Sequence, residues 1–284
     1  MGVKLVTDST SYIPLDVQET LEISVIPLSV NFPDESFLET EVDYSYFYNK
    51  IESSGVIPTS SQPSVGDMEA CFRRILDGGH DIVAIFISAQ MSGTYEAAVG
   101  MREQLVKEYP DAGFAIYDSK TNCMSLGHPV VESAKAAKEG RSFDEVCELA
   151  VSLIARMHFY FTPATLDYLQ KGGRIGGASA LLGRVLKIRP VLFVDEGSTN
   201  VYRKARGFQG AINEILKRMD SDIQDRGIAQ IIVMHIHYQD KAEEIAQTIE
   251  ERYGIAAPIL PIGPVIGLHV GPGTIGIVYC TDRA

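Results

Sequence analysis

Several groups of side chains in this sequence are of types that do chemistry. Ser92-Gly93-Thr94 follow the apolar run IVAIFI (82–87) and precede a helical pattern, so they fall between a strand end and a helix start. Backbone N–H groups at a helix N-terminus attract anions, and two hydroxyls add donors. Plain N-capping by Ser92 explains the same residues without a ligand. The stretch PTSSQPS (58–64) is a second hydroxyl-rich loop before a helix. There Ser64 and Asp67 form an S-x-x-D capping box, and Pro63 keeps the chain before it extended. Capping leaves Thr59, Ser60 and Ser61 unexplained; they are either an anion-binding loop or an ordinary polar one. Asp8-Ser9-Thr10-Ser11 also follow a strand end and read as turn and cap chemistry. In TLDYLQKGGRIGG (165–177), Gly172 and Gly173 suit a left-handed helix end. Arg174, just after them, is a solvated cation near helix carbonyls or a bidentate fork for a carboxylate or phosphate. His269, in HVGPG between apolar segments, is a satisfied core or turn residue or a functional imidazole.

Other chemistries fail on spacing. Gly271, Gly273 and Gly276 make a formal G-x-G-x-x-G, but a strand-like IGIVYC follows and only eight residues remain after Gly276. A dinucleotide site needs a helix there and an acidic residue about 20 positions on. No Walker loop, H-E-x-x-H or H-x-x-x-H occurs, and Gln90 stands where a nucleophile elbow G-x-S-x-G needs its first glycine. His235 and His237 share a face if both lie on one strand, but nothing nearby completes a metal ligand set. The enzymatic alternative is a serine hydrolase with Ser92 as nucleophile, His269 as base and Asp8 as orienter, because triads are defined by geometry and not by order.

The elements that must position these residues alternate. VKLVT (3–7), IVAIFI and FAIY (114–117) read as buried strands, with helical patterns at 65–76, 95–109, 127–139 and 143–157. That rhythm predicts an N-terminal three-layer α/β/α parallel sheet, whose loops after the strands form the ligand edge. The second half has helical patterns at 164–170 and 178–186. A strand–turn–strand follows over VLFVDEGSTNVYRKAR with Glu196-Gly197 in the turn, then helices near 209–219 and 241–253. AQIIVMHIH, ILPIG, VIGLHVG and TIGIVYC read as strand segments. This predicts a C-terminal two-layer α/β domain with a mixed sheet. The expected domains are 1–157 and 158–284.

The 284 residues are 45% hydrophobic, enough for one large or two ordinary cores, and carry a net charge of −12. That balance argues against broad nucleic-acid or anionic-membrane binding. No apolar run is long enough to span a bilayer, so no integral membrane contact is expected. Cys71, Cys123, Cys147 and Cys280 are scattered without a CxxC pair, which fits free thiols in a cytoplasmic protein. The chain opens directly on a strand pattern, so no signal peptide is expected.

Taken in order, these segments resemble the DegV family, fatty-acid-binding proteins of bacteria. The likeness rests on VTDST (6–10), TSSQPS (59–64), MSGTY (91–95), YDSK (117–120), LDYLQKGGRI (166–175), LKIRPVLFV (186–194) and HVGPGTIG (269–276), spanning nearly the whole chain. One departure is Ser60, where the family's T-S-Q-P-S loop starts with threonine; the hydroxyl is kept and a methyl lost. The resemblance implies a two-domain α/β protein holding one long-chain fatty acid, its tail in an apolar tunnel. The carboxylate would sit between the domains near Ser60 and Ser92, together with Ser61, Gly93 and Thr94, and with Arg174 and His269 close by. It also implies a carrier that is not itself an enzyme and needs no metal or cofactor. Such a carrier presents the acid to a separate fatty acid kinase subunit, which makes the acyl phosphate. Arg203, Lys204 and Arg206, crowded on one strand, are either a solvated edge or a docking patch for that kinase.

Overall fold

The computed structural model describes residues 2–182 and 188–284. The chain forms two compact units, Met1–Val42 with Ser60–Ala155, and Asp43–Thr59 with Arg156–Ala284. The expected division has a single boundary at 157/158; the units change over at 155/156, and the second also takes in the early segment Asp43–Thr59.

In chain order, β1 (Val3–Asp8), α1 (Leu15–Leu21), β2 (Ser24–Ile26), β3 (Ser29–Asn31) and β4 (Ser36–Leu38) come first. Then α2 (Tyr44–Ser54) is given to the second unit. β5 (Thr59–Ser61), α3 (Val65–Asp77), β6 (Asp81–Phe86), α4 (Thr94–Glu108), β7 (Phe114–Asp118), α5 (Met124–Lys138) and α6 (Phe143–Ile154) complete the first unit. Its main sheet has the order β2-β1-β6-β7 and is parallel throughout. Val6, Ile82, Ala84 and Phe86 pack against Met68, Phe72 and Leu105 of α3 and α4. Alternation sends the buried Leu5, Val83 and Ile85 to the other face, where α5 and α6 lie. These are the three layers expected. The chain moves from β1 to β2 on one side and returns with β6 on the other, so the strand order switches between β1 and β6. A second small sheet, β4-β3-β5, carries Ser60. Its three-residue strands are too short to show a period of two, so the sequence does not announce them.

The second unit continues with β8 (Met157–Thr162), α7 (Asp167–Lys171), a 3-10 turn at Gly176–Leu181, β9 (Ile188–Asp195) and β10 (Ser198–Arg206). α8 (Gly207–Arg226), β11 (Gln230–His235), α9 (Gln239–Tyr253), β12 (Ile259–Pro261), α10 (Pro264–Val270) and β13 (Ile275–Cys280) follow. Its sheet runs β10-β9-β8-β13-β11-β12, antiparallel except for the β11–β12 pair. Glu196 and Gly197 turn the β9–β10 hairpin with φ of 44° and 83°, as that turn requires. On one face Tyr160, Val191, Ile231, Val233, Ile277 and Tyr279 pack on α8 and α9. The alternate residues Phe159, Phe161, Leu192, Met234 and Val278, all buried, form the opposite apolar face. Arg189 ties strand ends together, donating to Gly273 O at 2.7 Å and Thr162 Oγ1 at 3.3 Å.

Three expectations are corrected here. VIGLHVG is helical, not a strand: Gly263 is its N-cap and Pro264 its first residue, the preferred place for proline in a helix. The helical pattern at 178–186 reduces to the end of the 3-10 turn; its residues 183–186, and Leu186-Lys187 of LKIRPVLFV, lie outside the described residues. His237 stands beyond the end of β11 with φ 48°, so it does not share a strand face with His235.

Candidate functional site

The C-terminal edge of a parallel sheet at its switch point is where such folds bind ligands. Here Asp8 ends β1, fully buried, and its Oδ2 accepts from Ile87 N at 2.7 Å just after β6. Its Oδ1 accepts from Thr10 N at 2.9 Å and from Thr10 Oγ1. Burial pushes the Asp8 carboxyl up, and these hydrogen bonds pull it back. Oδ2 thus staples β1 to the end of β6, Oδ1 holds the turn at Thr10, and among the described residues neither oxygen meets an imidazole. Ser9 accepts from Leu28 N at 3.0 Å and donates to the buried Glu39, which also receives the Tyr12 hydroxyl at 3.0 Å. The DSTS segment is turn chemistry, as one sequence reading had it.

Beyond β6 the chain turns on Ser88, whose Oγ accepts from Gln90 N at 3.1 Å and whose carbonyl accepts from Ser92 N at 3.1 Å. This delivers Ser92, half-buried, to the start of α4. Ser92 is not the N-cap. Gly93 holds that position without a side-chain bond, and Ser92 Oγ lies 2.9 Å from Thr94 Oγ1 and 3.3 Å from Thr94 N. Ser64, by contrast, does cap α3, accepting from Asp67 N at 3.0 Å. The two hydroxyl loops touch: a Cβ on Gly93 would stand 2.2 Å from Gln62 Oε1, so the Gln62 amide lies directly over that glycine. Ser61 Oγ accepts from Asn31 Nδ2 at 2.9 Å, which fixes the other side of the loop. Through Gln62, the loop that carries Ser60 and Ser61 meets the Ser92-Gly93-Thr94 turn at the start of α4. The sequence reading names neither Gln62 nor Asn31; Gln62 is signalled by its place inside the TSSQPS motif, whereas nothing local marks Asn31.

The second unit gathers the other two candidates. Gly173, with φ 70°, ends α7 in the left-handed conformation, and Arg174 N returns to Leu169 O at 3.1 Å. Arg174 Nη1 donates to Gly172 O at 2.7 Å. A Cβ on Gly172 would stand 2.1 Å from His269 Nδ1, so the imidazole lies directly against that glycine. His269 is buried; desolvation, with the Arg174 charge added, pulls its pKa down to about 4. At neutral pH it is an uncharged donor or acceptor, and Arg174 carries the positive charge. Among the described residues, no group of three or more His, Cys, Asp or Glu could hold a metal ion, and no helix is long and apolar enough to cross a membrane.

Comparison with known proteins agrees with this architecture. The model of a family described as "uncharacterised protein, DegV family" matches residues 2–282. A DegV domain-containing protein of Clostridium acetobutylicum is 43% identical over 283 residues, covering 100% of this chain and 99% of its own. Protein DegV of Bacillus subtilis is 30% identical over 285 residues, covering 99% of each. Among solved structures, a DegV family protein from Thermus thermophilus, described by its fatty acid binding, matches with TM-score 0.90 at 30% identity, over 99% of this chain and 100% of that one. DegV of Bacillus subtilis, described as a fatty acid binding protein, matches with TM-score 0.86 at 29% identity over 99% of each chain. With the parallel sheet, the mixed sheet and the ordered motifs all accounted for, the chain belongs to the DegV family.

Proposed function

We propose that this chain binds one long-chain fatty acid and presents its carboxylate to a separate kinase subunit, which forms the acyl phosphate. The observation that carries the reading is the polar cluster at the switch-point edge, where the Ser60 loop is packed onto Ser92-Gly93-Thr94 through Gln62. A buried carboxylate needs hydrogen bonds or a counter-charge to offset its lost hydration. Ser60, Ser61, Ser92, Thr94 and the N–H groups opening α4 supply neutral donors, and Arg174 and His269 add a cation and an uncharged imidazole. Neutral donors hold an acid without reacting with it. The acyl tail gains by leaving water for apolar surroundings. At ~0.8 kcal/mol per methylene, ~16 carbons contribute on the order of 12 kcal/mol before ordering losses. The fatty acid binding described for the Thermus thermophilus and Bacillus subtilis relatives supports the same reading. The hydrolase alternative has lost its orienter, because Asp8 is committed to Ile87 and Thr10.

The test is denaturing extraction of the purified chain followed by mass spectrometry, which should return close to one long-chain acid per chain. A lipid-free protein that also ignores added oleate and palmitate overturns the proposal. ATP turnover by this chain alone overturns the assignment of the kinase step to a partner.

A further inference from the structure

The segment Asp43–Thr59 belongs to the second unit and runs directly into Ser60 of the first. Its α2 is held by Tyr48, which is 3% exposed. The Tyr48 hydroxyl donates to Ile262 O at 3.1 Å and lies 3.4 Å from Gly263 O. Gly263 O is also the acceptor of the first helical bond of α10, from Gly267 N at 2.8 Å. The phenol ring meets His237 edge-on at 4.5 Å and Phe47 at 4.8 Å. Gly263, Gly267 and Gly271 recur at every fourth position and so share one face of α10. A Cβ at Gly267 would stand 1.9 Å from the Tyr48 hydroxyl, and one at Gly271 would stand 2.5 Å from the Tyr168 ring. Aromatic side chains of α2 and α7 thus occupy the notches that two glycines leave along α10. Two residues past Gly267 on the same helix is His269, itself seated on Gly172.

We infer that Tyr48 is a positioning residue for the head-group site: one hydroxyl fixes the first turn of α10, which aims His269, and anchors the segment that delivers Ser60. The inference rests on the fatty-acid reading for its functional meaning. The chemistry is a phenol proton shared between two carbonyls at a helix start. Losing it frees the helix start and the leading end of the Ser60 loop together.

Tyr48→Phe keeps the ring and removes only the hydroxyl that donates to the two carbonyls. Two measurements are made on it: fatty acid affinity, and the titration of His269 followed by NMR in lipid-free protein. Affinity should fall roughly 2- to 12-fold, the equivalent of one neutral hydrogen bond, and equally for laurate and palmitate, because the effect is at the head group. Combining Tyr48→Phe with Ser60→Ala should give less than the sum of the two losses. His269 should titrate upward from about 4 as its seat loosens. Gly267→Ala, whose added methyl drives the hydroxyl off its carbonyls, must reproduce both changes, and serves alone if Tyr48→Phe does not fold. Wild-type affinity with His269 still titrating near its original value overturns the inference. A wild-type chain that binds no fatty acid overturns the functional reading instead, and the His269 titration still decides the positioning role.

Discussion

Acid should destabilise this protein through His269 by an amount the structure allows to be worked out. The ring is 8% exposed, lies against Gly172, and faces the charge of Arg174, so its pKa is about 4 in the fold. In the unfolded chain an imidazole titrates near its ordinary value of ~6.5. The folded value is the lower one, so as pH falls the unfolded state takes up the proton first. Stability from the neutral ring is fully present above pH ~6.5, declines below it, and stops declining near pH 4, where the folded state is protonated too. Each pH unit in that window is worth about 1.4 kcal/mol, so the whole loss is about 3 kcal/mol. The assay is urea unfolding of delipidated wild type and His269→Gln between pH 7.5 and 4.5. Glutamine keeps a polar side chain but cannot take a proton. Other titrating groups, such as His158 and His235, whose values burial also lowers, are common to both proteins and cancel in the difference. Relative to pH 7.5, His269→Gln should gain on wild type steadily as pH falls, approaching the full difference near the acid end. Two parallel stability curves, or an imidazole resonance titrating near 6.5, would refute the reasoning.

Ser92→Ala and Ser60→Ala should each weaken fatty acid binding roughly 10- to 150-fold, the loss of one hydrogen bond to a charged group, as read by calorimetric titration. Because Ser92 contacts Thr94 instead of capping α4, Ser92→Ala should cost the fold less than the ~1 kcal/mol of a lost N-cap, which a thermal melt will show. Asp8→Ala should strand the buried Ile87 and Thr10 N–H groups and destabilise by ~1–3 kcal/mol for each, lowering the melting temperature well beyond any hydroxyl variant. Arg203, Lys204 and Arg206 are all exposed on the edge strand β10, with Arg203 lying over the Tyr202 ring. Reversing the charges of Lys204 and Arg206 should slow acyl phosphate formation by the partner kinase, most at low salt, with fatty acid affinity unchanged; full activity of the reversed variant removes the docking patch.

Much of the first unit is legible in the sequence because its strands are continuous apolar runs covered on both faces, and its helices are long enough to show their period. The site half built on those elements, Ser92 after β6, follows directly. What is illegible depends on contacts between distant residues. VIGLHV is apolar at every position but the glycine and histidine, so periodicity cannot separate helix from strand; the Gly263-Pro264 start decides it, and that signal is easily passed over. Strands of three residues, such as β3 and β5, exist because they pair with each other. The membership of α2 rests on a hydrogen bond between Tyr48 and Ile262, 214 positions apart, which no local pattern encodes. The roles of Ser92 and Asp8 likewise turn on whose N–H each meets, not on their spacing.

The excursion of α2 has a consequence for synthesis on the ribosome. Phe47, Tyr48 and Ile51 are buried in the finished protein, at 0%, 3% and 3% exposure. They emerge long before Ile262 and Gly263, the carbonyls that receive Tyr48, have been made. At about 5–20 residues per second, the 214-residue gap leaves that helix without its Tyr48 acceptors for about 10–40 s, while the parallel sheet of the first unit can already form. The nascent chain therefore passes through a stage in which the first unit can fold while Phe47, Tyr48 and Ile51 still lack their final partners. Slowing translation after residue 155 should lengthen that stage and increase chaperone capture. A truncated message ending there should yield a protein that aggregates through α2, however well its own sheet is formed.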